Sequence, residues 1–169
     1  INSQTGYITG EQGIFAKTTN AGTNWTSMEI VQNMAMYSLA ATGNTVYTAG
    51  EHGSFYRSTN SGSNWTKLTT NTYKKLNCIV ALSASDIWAV GDSGIVLHTT
   101  NSGTNFSTSY INSNYNINSI VNLSVSEFVA TGNKGKIFRT TNAGLNWITD
   151  SINTQNNIRS LRKLNNSFL

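Results

Sequence analysis

Short runs of apolar, β-branched and aromatic residues recur along the chain, and polar turns rich in Gly, Asn and Ser separate them. The clearest runs predict strand A over residues 78–82, strand B over 86–90, strand C over 95–99 and strand D over 106–110. β-branched and aromatic residues fill these runs, which favours strands, and no stretch has the spacing of an amphipathic helix. The pattern therefore predicts an all-β fold.

A Gly-x-x-Gly turn between strands B and C returns four times along the chain. Its copies are residues 10–13, 50–53, 91–94 and 132–135. Glycine adopts positive φ at little cost, which suits a tight turn. A motif locked to a spacing of about 41 residues indicates a repeat architecture.

A second motif keeps the same spacing, between strands C and D, and reads Thr-Asn-(Ala/Ser)-Gly-x-Asn followed by an aromatic residue. An Asn side chain bonds its own backbone two residues on, and Gly accepts a left-handed conformation. We expect the aromatic residue to re-enter the sheet and pack beneath the turn. The repeated turn residues are Asn20, Gly22 and Trp25; Asn60, Gly62 and Trp65; Asn101, Gly103 and Phe106; and Asn142, Gly144 and Trp147.

Four strands in each unit of about 41 residues is the spacing of a propeller blade, whereas a solenoid predicts fewer strands per unit. We therefore predict one β-propeller array over residues 1–169, built of four-stranded antiparallel blades. Its approximate units are 1–35, 36–75, 76–116, 117–157 and 158–169.

Both ends of the chain interrupt the repeat within strand B, giving the order BCD, ABCD, ABCD, ABCD, A. Residues 5–7 align with strand B, residues 159–164 with strand A, and residues 167–169 with the next strand B. The last strand A either completes the first blade and closes a four-bladed ring or begins a further blade of a larger propeller. We favour the larger propeller, of six to eight blades, because an open array leaves unpaired strand edges.

Composition narrows the class of protein. Charged residues make up 11% of the 169 residues and hydrophobic residues 38%, with a net charge of +4. The charged fraction is far below the usual level, which argues against a typical cytosolic enzyme. We expect an extracellular, cell-surface or periplasmic protein, either freed of a signal peptide or cut from a longer chain. No apolar run is long enough to span a membrane.

The basic residues and the cysteine exclude further classes. The 11 Lys and Arg residues are scattered along the chain, whereas nucleic-acid binding requires a dense basic patch. The single cysteine, Cys78, excludes an internal disulfide framework and a multi-cysteine zinc site. We predict a small buried residue at Cys78, no metal site and no cofactor.

The C–D turns resemble the Asp-box, or bacterial neuraminidase repeat, in which the turn reads Ser/Thr-x-Asp-x-Gly-x-Thr-Trp. Here Asn replaces the Asp in all four turns and Phe106 replaces one Trp. The fuller pattern over residues 87–101 is similar to the photosystem II assembly and stability factor family. The resemblance implies a propeller fold, in which the Asp-box is a structural turn, and it says little about activity.

Acidic and basic residues each recur at one position of the repeat. Glu11, Glu51 and Asp92 lie on the B–C turns, and Lys17, Arg57, His98 and Arg139 lie on strand C. We expect local ion pairs between the two sets, with Arg139 left unpaired because Asn133 replaces the fourth acid. The alternative is a charged rim that binds a polar partner. Groups that recur in every blade are typical of a scaffold, so we predict no catalytic residue.

The connections between strands D and A are the least repetitive parts of the chain: 32–36, 71–76, 112–116 and 153–157. In propellers they open on the same face as the B–C turns, and loops on a rigid scaffold concentrate function. The predicted binding face comprises Glu11, Glu51, Asp92, Tyr73, Lys74, Lys75 and Tyr115. The alternative is that these connections are merely polar loops.

Three functions remain open. The first is a non-enzymatic binding or scaffold domain of an exported or cell-surface bacterial protein, with a protein or glycan partner or further blades of the same polypeptide. The second is a fragment of an Asp-box glycoside hydrolase, sialidase-like or xyloglucanase-like, whose catalytic carboxylates lie elsewhere. The third, implied by the resemblance, is a photosystem II assembly factor.

Overall fold

The structure, a computed structural model, describes residues 4–163 as four antiparallel sheets, which we call blades 1 to 4. Blade 1 contains β1 (Gly6–Thr9), β2 (Ile14–Thr18) and β3 (Thr26–Glu29). Blade 2 contains β4 (Met36–Thr42), β5 (Thr45–Gly50), β6 (Phe55–Ser58) and β7 (Thr66–Lys67). Blade 3 contains β8 (Leu76–Ala81), β9 (Ile87–Gly91), β10 (Ile95–Thr99) and β11 (Ser107–Tyr110). Blade 4 contains β12 (Ile117–Asn122), β13 (Phe128–Gly132), β14 (Lys136–Thr140) and β15 (Ile148–Ser151).

In every blade, strands that are consecutive in sequence are hydrogen-bonded neighbours in space. The predicted all-β propeller architecture is confirmed. Blade 1 has three strands, and blades 2 to 4 have four each. Three short 3-10 turns follow strand B in blades 1 to 3, and within residues 4–163 no helix is long and apolar enough to cross a membrane.

The strand bounds in blade 3 follow the sequence pattern closely. Strand C spans the predicted residues, whereas strand A begins earlier, at Leu76. Leu76 pairs with Gly91, and an irregularity in register separates that pair from the next one, Cys78 with Val90. Strand D begins at Ser107, one residue after Phe106, which packs against the core between blades 2 and 3. A run of apolar residues in the sequence does not reveal where a bulge interrupts a strand, or whether an aromatic residue at its end belongs to the strand or to the core.

The core lies between the blades. Successive residues of a strand point to opposite faces of its sheet, so blades 2 and 3 each bury one face against the preceding blade and the other against the following blade. Tyr47 and Phe55 of blade 2 pack with Ile87 and Leu97 of blade 3. Trp88 of blade 3 packs in the same way against blade 4, and its ring centroid lies 4.6 Å from that of Phe128. Neighbouring blades thus stabilise one another.

The A strands of consecutive blades contact one another along the inner side of the array. The Ser38 hydroxyl accepts a hydrogen bond from the backbone N–H of Ile79 at 3.0 Å, and this bond joins blade 2 to blade 3. Cys78 occupies the equivalent position in blade 3, where it is half-buried against the core shared with blade 4. A small side chain at this position lets the A strands approach closely.

Each C–D turn is built around the hydroxyl of the last residue of strand C. In blade 3 the Thr99 hydroxyl donates to Asn101 Oδ1 at 2.9 Å and accepts from the N–H of Gly103 at 3.0 Å. Asn101 Oδ1 also accepts from the N–H of Asn105 at 3.0 Å. Thr18, Ser58 and Thr140 make the same contacts in the other blades. One hydroxyl and one amide therefore fix the whole turn.

In blades 2 to 4, the aromatic residue that follows the C–D turn packs against the preceding blade. Trp65 meets Phe15 edge-on at 4.9 Å between ring centroids, and its indole N–H donates to the Gly62 carbonyl at 3.1 Å. Phe106 lies 5.1 Å from Phe55. Trp25, in blade 1, has no described blade before it and is exposed.

The segment after blade 4 differs from its prediction. Residues 159–163 do not form a strand, because no strand B lies beside them within residues 4–163. The segment nevertheless lies against blade 4, since the N–H of Leu161 donates to the Ser119 hydroxyl at 3.1 Å. Leu164 and the expected strand B at 167–169 lie outside the described residues.

The B–C turn of blade 2 leads to a test of how tightly the array is packed. A Cβ atom at Gly53, where φ is +68°, would overlap the backbone carbonyl of Thr72, whereas Gly43, at φ +58°, has open space around it. We expect Gly53→Ala to lower the free energy of unfolding by about 2 kcal/mol or more beyond the effect of Gly43→Ala. Urea titration of the two variants measures this difference, and equal losses would contradict it.

Candidate binding face

In blades 2 to 4, each B–C turn is held between two D–A connections. In blade 3 the N–H of Asp92 donates to the Lys75 carbonyl at 2.9 Å, and the N–H of Ile111 donates to the Gly94 carbonyl at 2.9 Å. Equivalent bonds join the turns of the other blades to their neighbouring connections, for example Glu51 N–H to the Ala35 carbonyl at 3.0 Å. The B–C turns and D–A connections thus form one continuous surface, which we call the turn face.

Glu51 is fixed on the turn face by its carboxylate. One oxygen accepts from the N–H of Ala35 at 3.0 Å, and the other accepts from the Tyr37 hydroxyl at 3.0 Å. The backbone bond from Ala35, followed by the bond from Tyr37, lowers the pKa of Glu51. Burial, followed by the bond to Glu51, raises the pKa of Tyr37. Both effects keep Glu51 ionised and Tyr37 neutral.

The other turns use their polar side chains in similar ways. Asp92 Oδ1 accepts from the Asn77 amide at 3.1 Å. Asn133 Oδ1 accepts from the N–H of Asn116 at 3.1 Å. Glu11 is exposed. In three blades the residue after the first glycine therefore ties its turn to a connection or to an A strand.

The expected ion pairs between B–C turns and strand C are not formed. His98 Nε2 instead lies 2.9 Å from Asp86, and Arg139 lies 3.6 Å from Glu127, so Arg139 has a partner after all. His98 is the fourth residue beyond the turn, about 13 Å along an extended strand, so a turn carboxylate is out of its reach. Asp86 and Glu127 precede strand B, at the same end of the hairpin as the basic residues.

Two lysines lie over tyrosine rings on the turn face. Lys75 Nζ is 5.1 Å from the centroid of Tyr37, and Lys136 Nζ is 5.6 Å from that of Tyr115. Both distances allow a cation–π interaction. Tyr73, on the connection before blade 3, is 88% exposed and is followed by the half-buried Lys74.

Sequence analysis missed Tyr37 and Asn77, which bond the turn acids directly. With Asn118, they share one position of the repeat, the second residue of strand A. A polar or amphipathic residue recurring there, directly after a buried apolar residue, is a signal that could have identified them. Asn77 and Asn118 also donate to the next A segment, at the carbonyls of Ile117 and Ile158, both at 2.9 Å.

Within residues 4–163, no three His, Cys, Asp or Glu side chains are grouped closely enough to hold a metal ion.

The pKa of Glu51 leads to a test of how the turn face is held. Because its folded-state pKa is lowered, the stabilisation by Glu51 is present above the ordinary pKa and is lost as the pH falls through the folded-state pKa. We expect Glu51→Gln to make the unfolding free energy less dependent on pH over this acidic range. Denaturant unfolding at a series of pH values measures the change. Glu29→Gln, at an exposed position on β3, is the control, and a change of similar size in it would contradict the prediction.

Two family profiles match the chain, each over more than half of its length. The DUF6242 beta propeller domain matches residues 4–118, and the photosynthesis system II assembly factor YCF48 matches residues 72–167. Among curated proteins no sequence matches the chain.

Solved structures share the fold at low sequence identity. YCF48 bound to a D1 peptide is 12% identical, with a TM-score of 0.58 over 88% of this chain and 78% of that chain. YCF48 from Cyanidioschyzon merolae is 15% identical, with a TM-score of 0.66 over 90% of this chain and 57% of that chain. An ancestral GH74 enzyme is 20% identical, with a TM-score of 0.70 over 87% of this chain but only 23% of the enzyme.

The structural matches are consistent with the four blades described above, and the two profiles overlap on blade 3. The predicted relationship to Asp-box propellers and to the photosystem II assembly factor family is confirmed. The chain belongs to the family of the DUF6242 beta propeller domain and, over residues 72–167, to that of the photosynthesis system II assembly factor YCF48.

Proposed function

We propose that the chain is a non-enzymatic binding propeller that takes an acidic polypeptide segment on its turn face. The observation that carries this proposal is the pair of lysines lying over Tyr37 and Tyr115 on that face. Tyrosine supplies contact area at a low cost in conformational entropy, and a lysine held beside it supplies charge. This arrangement suits a partner that combines carboxylates with backbone amides.

The charge available on the turn face favours an acidic partner. Glu51 and Asp92 are engaged in hydrogen bonds within the face, whereas Lys134 is exposed on its loops and Lys74 and Lys75 are half-buried there. Complementary charge raises the rate of encounter and the specificity of binding. A polypeptide is the ligand class we favour over a glycan, because the structurally similar YCF48 has been obtained with a bound D1 peptide. The low charge of the whole chain further supports an exported or cell-surface setting.

The alternative function, a glycoside hydrolase fragment, rests on the similarity to the GH74 enzyme. Hydrolysis of a glycoside requires a carboxylic acid that is protonated at working pH, together with a second carboxylate. The hydrogen bonds to Glu51 lower its pKa, which is the opposite of what a general acid needs. The turn face therefore supports binding better than catalysis.

A labelled peptide of alternating Glu and Ser residues tests the proposal by fluorescence anisotropy. We expect saturable binding that weakens as salt is added, and a loss of affinity of about tenfold in a Lys74→Ala/Lys75→Ala variant, since removing charged contacts costs on the order of 1–3 kcal/mol. Lys67→Ala, at an exposed position on β7, is the control and is expected to bind like the original protein.

Two results would overturn the proposal. One is equal loss of affinity in the Lys67 control, because binding would then reflect net charge alone. The other is hydrolysis of xyloglucan or an aryl glycoside by the chain itself, which would favour the alternative.

A further inference from the structure

A polar cavity opens on the turn face of blade 4. It has a volume of about 200 Å³ and is lined by Tyr115, Lys134, Lys136 and residues 151–155. A water molecule occupies about 30 Å³ in the liquid, so the cavity has room for a tetrahedral oxyanion together with some water. The ring of Tyr115 lies 6.1 Å from that of Phe138. One wall of the cavity is therefore fixed by the core between blades 3 and 4.

The opposite wall is held by the same kind of bonds that hold the B–C turn of blade 3. The N–H of Ile152 donates to the Gly135 carbonyl at 3.0 Å, and the equivalent bond in blade 3 measures 2.9 Å. The N–H of Lys134 donates to Asn157 Oδ1 at 3.3 Å, which repeats a bond made by Ser93 in blade 3. Blade 3 has a neighbour on each side, so the cavity takes its shape from the repeat itself.

At their positions of the repeat, both lysines are particular to blade 4. The position of Lys136 is held by Ser54 in blade 2 and Ile95 in blade 3, and both of these side chains are buried. The position of Lys134 is held in blades 1 to 3 by Gln12, His52 and Ser93. A half-buried ammonium group costs desolvation unless it has a partner. Residues that depart from the repeat in this way are candidates for a role specific to their blade.

The cavity holds positive charge without an acid to balance it. Within residues 4–163, no carboxylate lies within 4.0 Å of either lysine. The first residue of the turn, which is acidic in blades 1 to 3, is Asn133 here. Asp150 precedes Ser151 on β15, so its side chain points to the opposite face of the sheet. Both ammonium groups are therefore available to an anion from solution.

Hydroxyl groups add hydrogen-bond donors to the cavity. The Thr154 hydroxyl accepts from the N–H of Asn156 at 3.1 Å, so its own hydrogen remains to donate. The Tyr115 hydroxyl is a second donor, on a ring that lies 5.6 Å from Lys136 Nζ. Two ammonium groups and two hydroxyl donors suit an oxyanion that carries several acceptor oxygens.

We propose that this cavity binds the phosphoryl group of a phosphate monoester, with Lys134 and Lys136 as its counter-charges. A phosphate monoester carries a charge of about −1.5 to −2 at pH 7 and has three strong acceptor oxygens. A carboxylate carries one charge and two oxygens, so it matches this set of donors less well. A phosphorylated Ser in a bound acidic segment is one source of the group and rests on the proposed function, whereas a free small phosphate ester does not.

Three labelled peptides test the proposal by fluorescence anisotropy at one salt concentration. They are the peptide of alternating Glu and Ser residues, the same peptide with its central Ser phosphorylated, and the same peptide with Glu in place of that Ser. We expect the phosphorylated peptide to bind about tenfold more tightly than the Glu-substituted one, since its hydrogen bonds are made to a dianion. Equal binding of these two peptides would overturn the inference and leave the proposed function standing.

A variant that copies blade 3 locates the preference. Lys134→Ser/Lys136→Ile places the residues of blade 3 in blade 4, so it is compatible with the repeat. In this variant the phosphorylated and Glu-substituted peptides are expected to bind equally. Lys17→Ala/Lys67→Ala removes the same charge from blades 1 and 2 and is the control, which is expected to keep the tenfold preference. Loss of the preference in the control would contradict the site, because net charge alone would then explain it.

Phenyl phosphate, followed by phosphorus NMR, separates the two sources of the group. A saturable shift of its signal that is lost in Lys134→Ser/Lys136→Ile would support the cavity even if no peptide bound, and would then overturn the proposed function alone. A preference for the phosphorylated peptide without a response to phenyl phosphate would identify the polypeptide as the source. Neither a response nor a preference would overturn the inference.

Discussion

The structure depends on one local constraint, the hydroxyl that ends each strand C. In blade 3 the Thr99 hydroxyl donates to Asn101 and accepts from the backbone of the turn, so the chain reverses at a fixed point. The reversal places Phe106 against the preceding blade, and the same device places Trp65 and Trp147. Contact between blades thus follows from a turn that is held by a hydroxyl and an Asn amide, neither of which carries a charge. This is consistent with the low charge of the whole chain.

Sequence alone predicted the fold because the two turn motifs and the strand runs are local features with a common period. The predicted bounds of strand C in blade 3 agree with the structure at both ends, and the repeated glycine turns correctly predict the division into blades. The hydroxyl of Thr99 was not identified, although a Thr or Ser two residues before each turn Asn is visible in the sequence. Its role depends on hydrogen bonds that form only when the turn closes.

The site was less predictable because side-chain partners depend on distances across strands and between blades. The turn acids and the strand C bases share a period, which suggested that they pair, yet they lie at opposite ends of the hairpin. His98 pairs with Asp86, which lies near it only because strands B and C are antiparallel. Tyr37 is close to Glu51 through the packing of strand A beside the turn. A linear pattern contains neither relationship.

The glycines that flank each B–C turn have a consequence for how the turn face varies among such repeats. A side chain at Gly53, Gly91 or Gly94 would meet the backbone of a neighbouring connection, so these positions are closed to larger residues. The two residues between the glycines carry side chains, and in this chain they read Glu-Gln, Glu-His, Asp-Ser and Asn-Lys. The second residue has a positive φ in every blade, which disfavours β-branched side chains there. Every blade therefore presents two side chains on a B–C turn whose backbone is fixed by its glycines. A row of such turns can acquire new ligand preferences by substitution at the second residue, while the glycines and the bonds made by the first residue hold the scaffold.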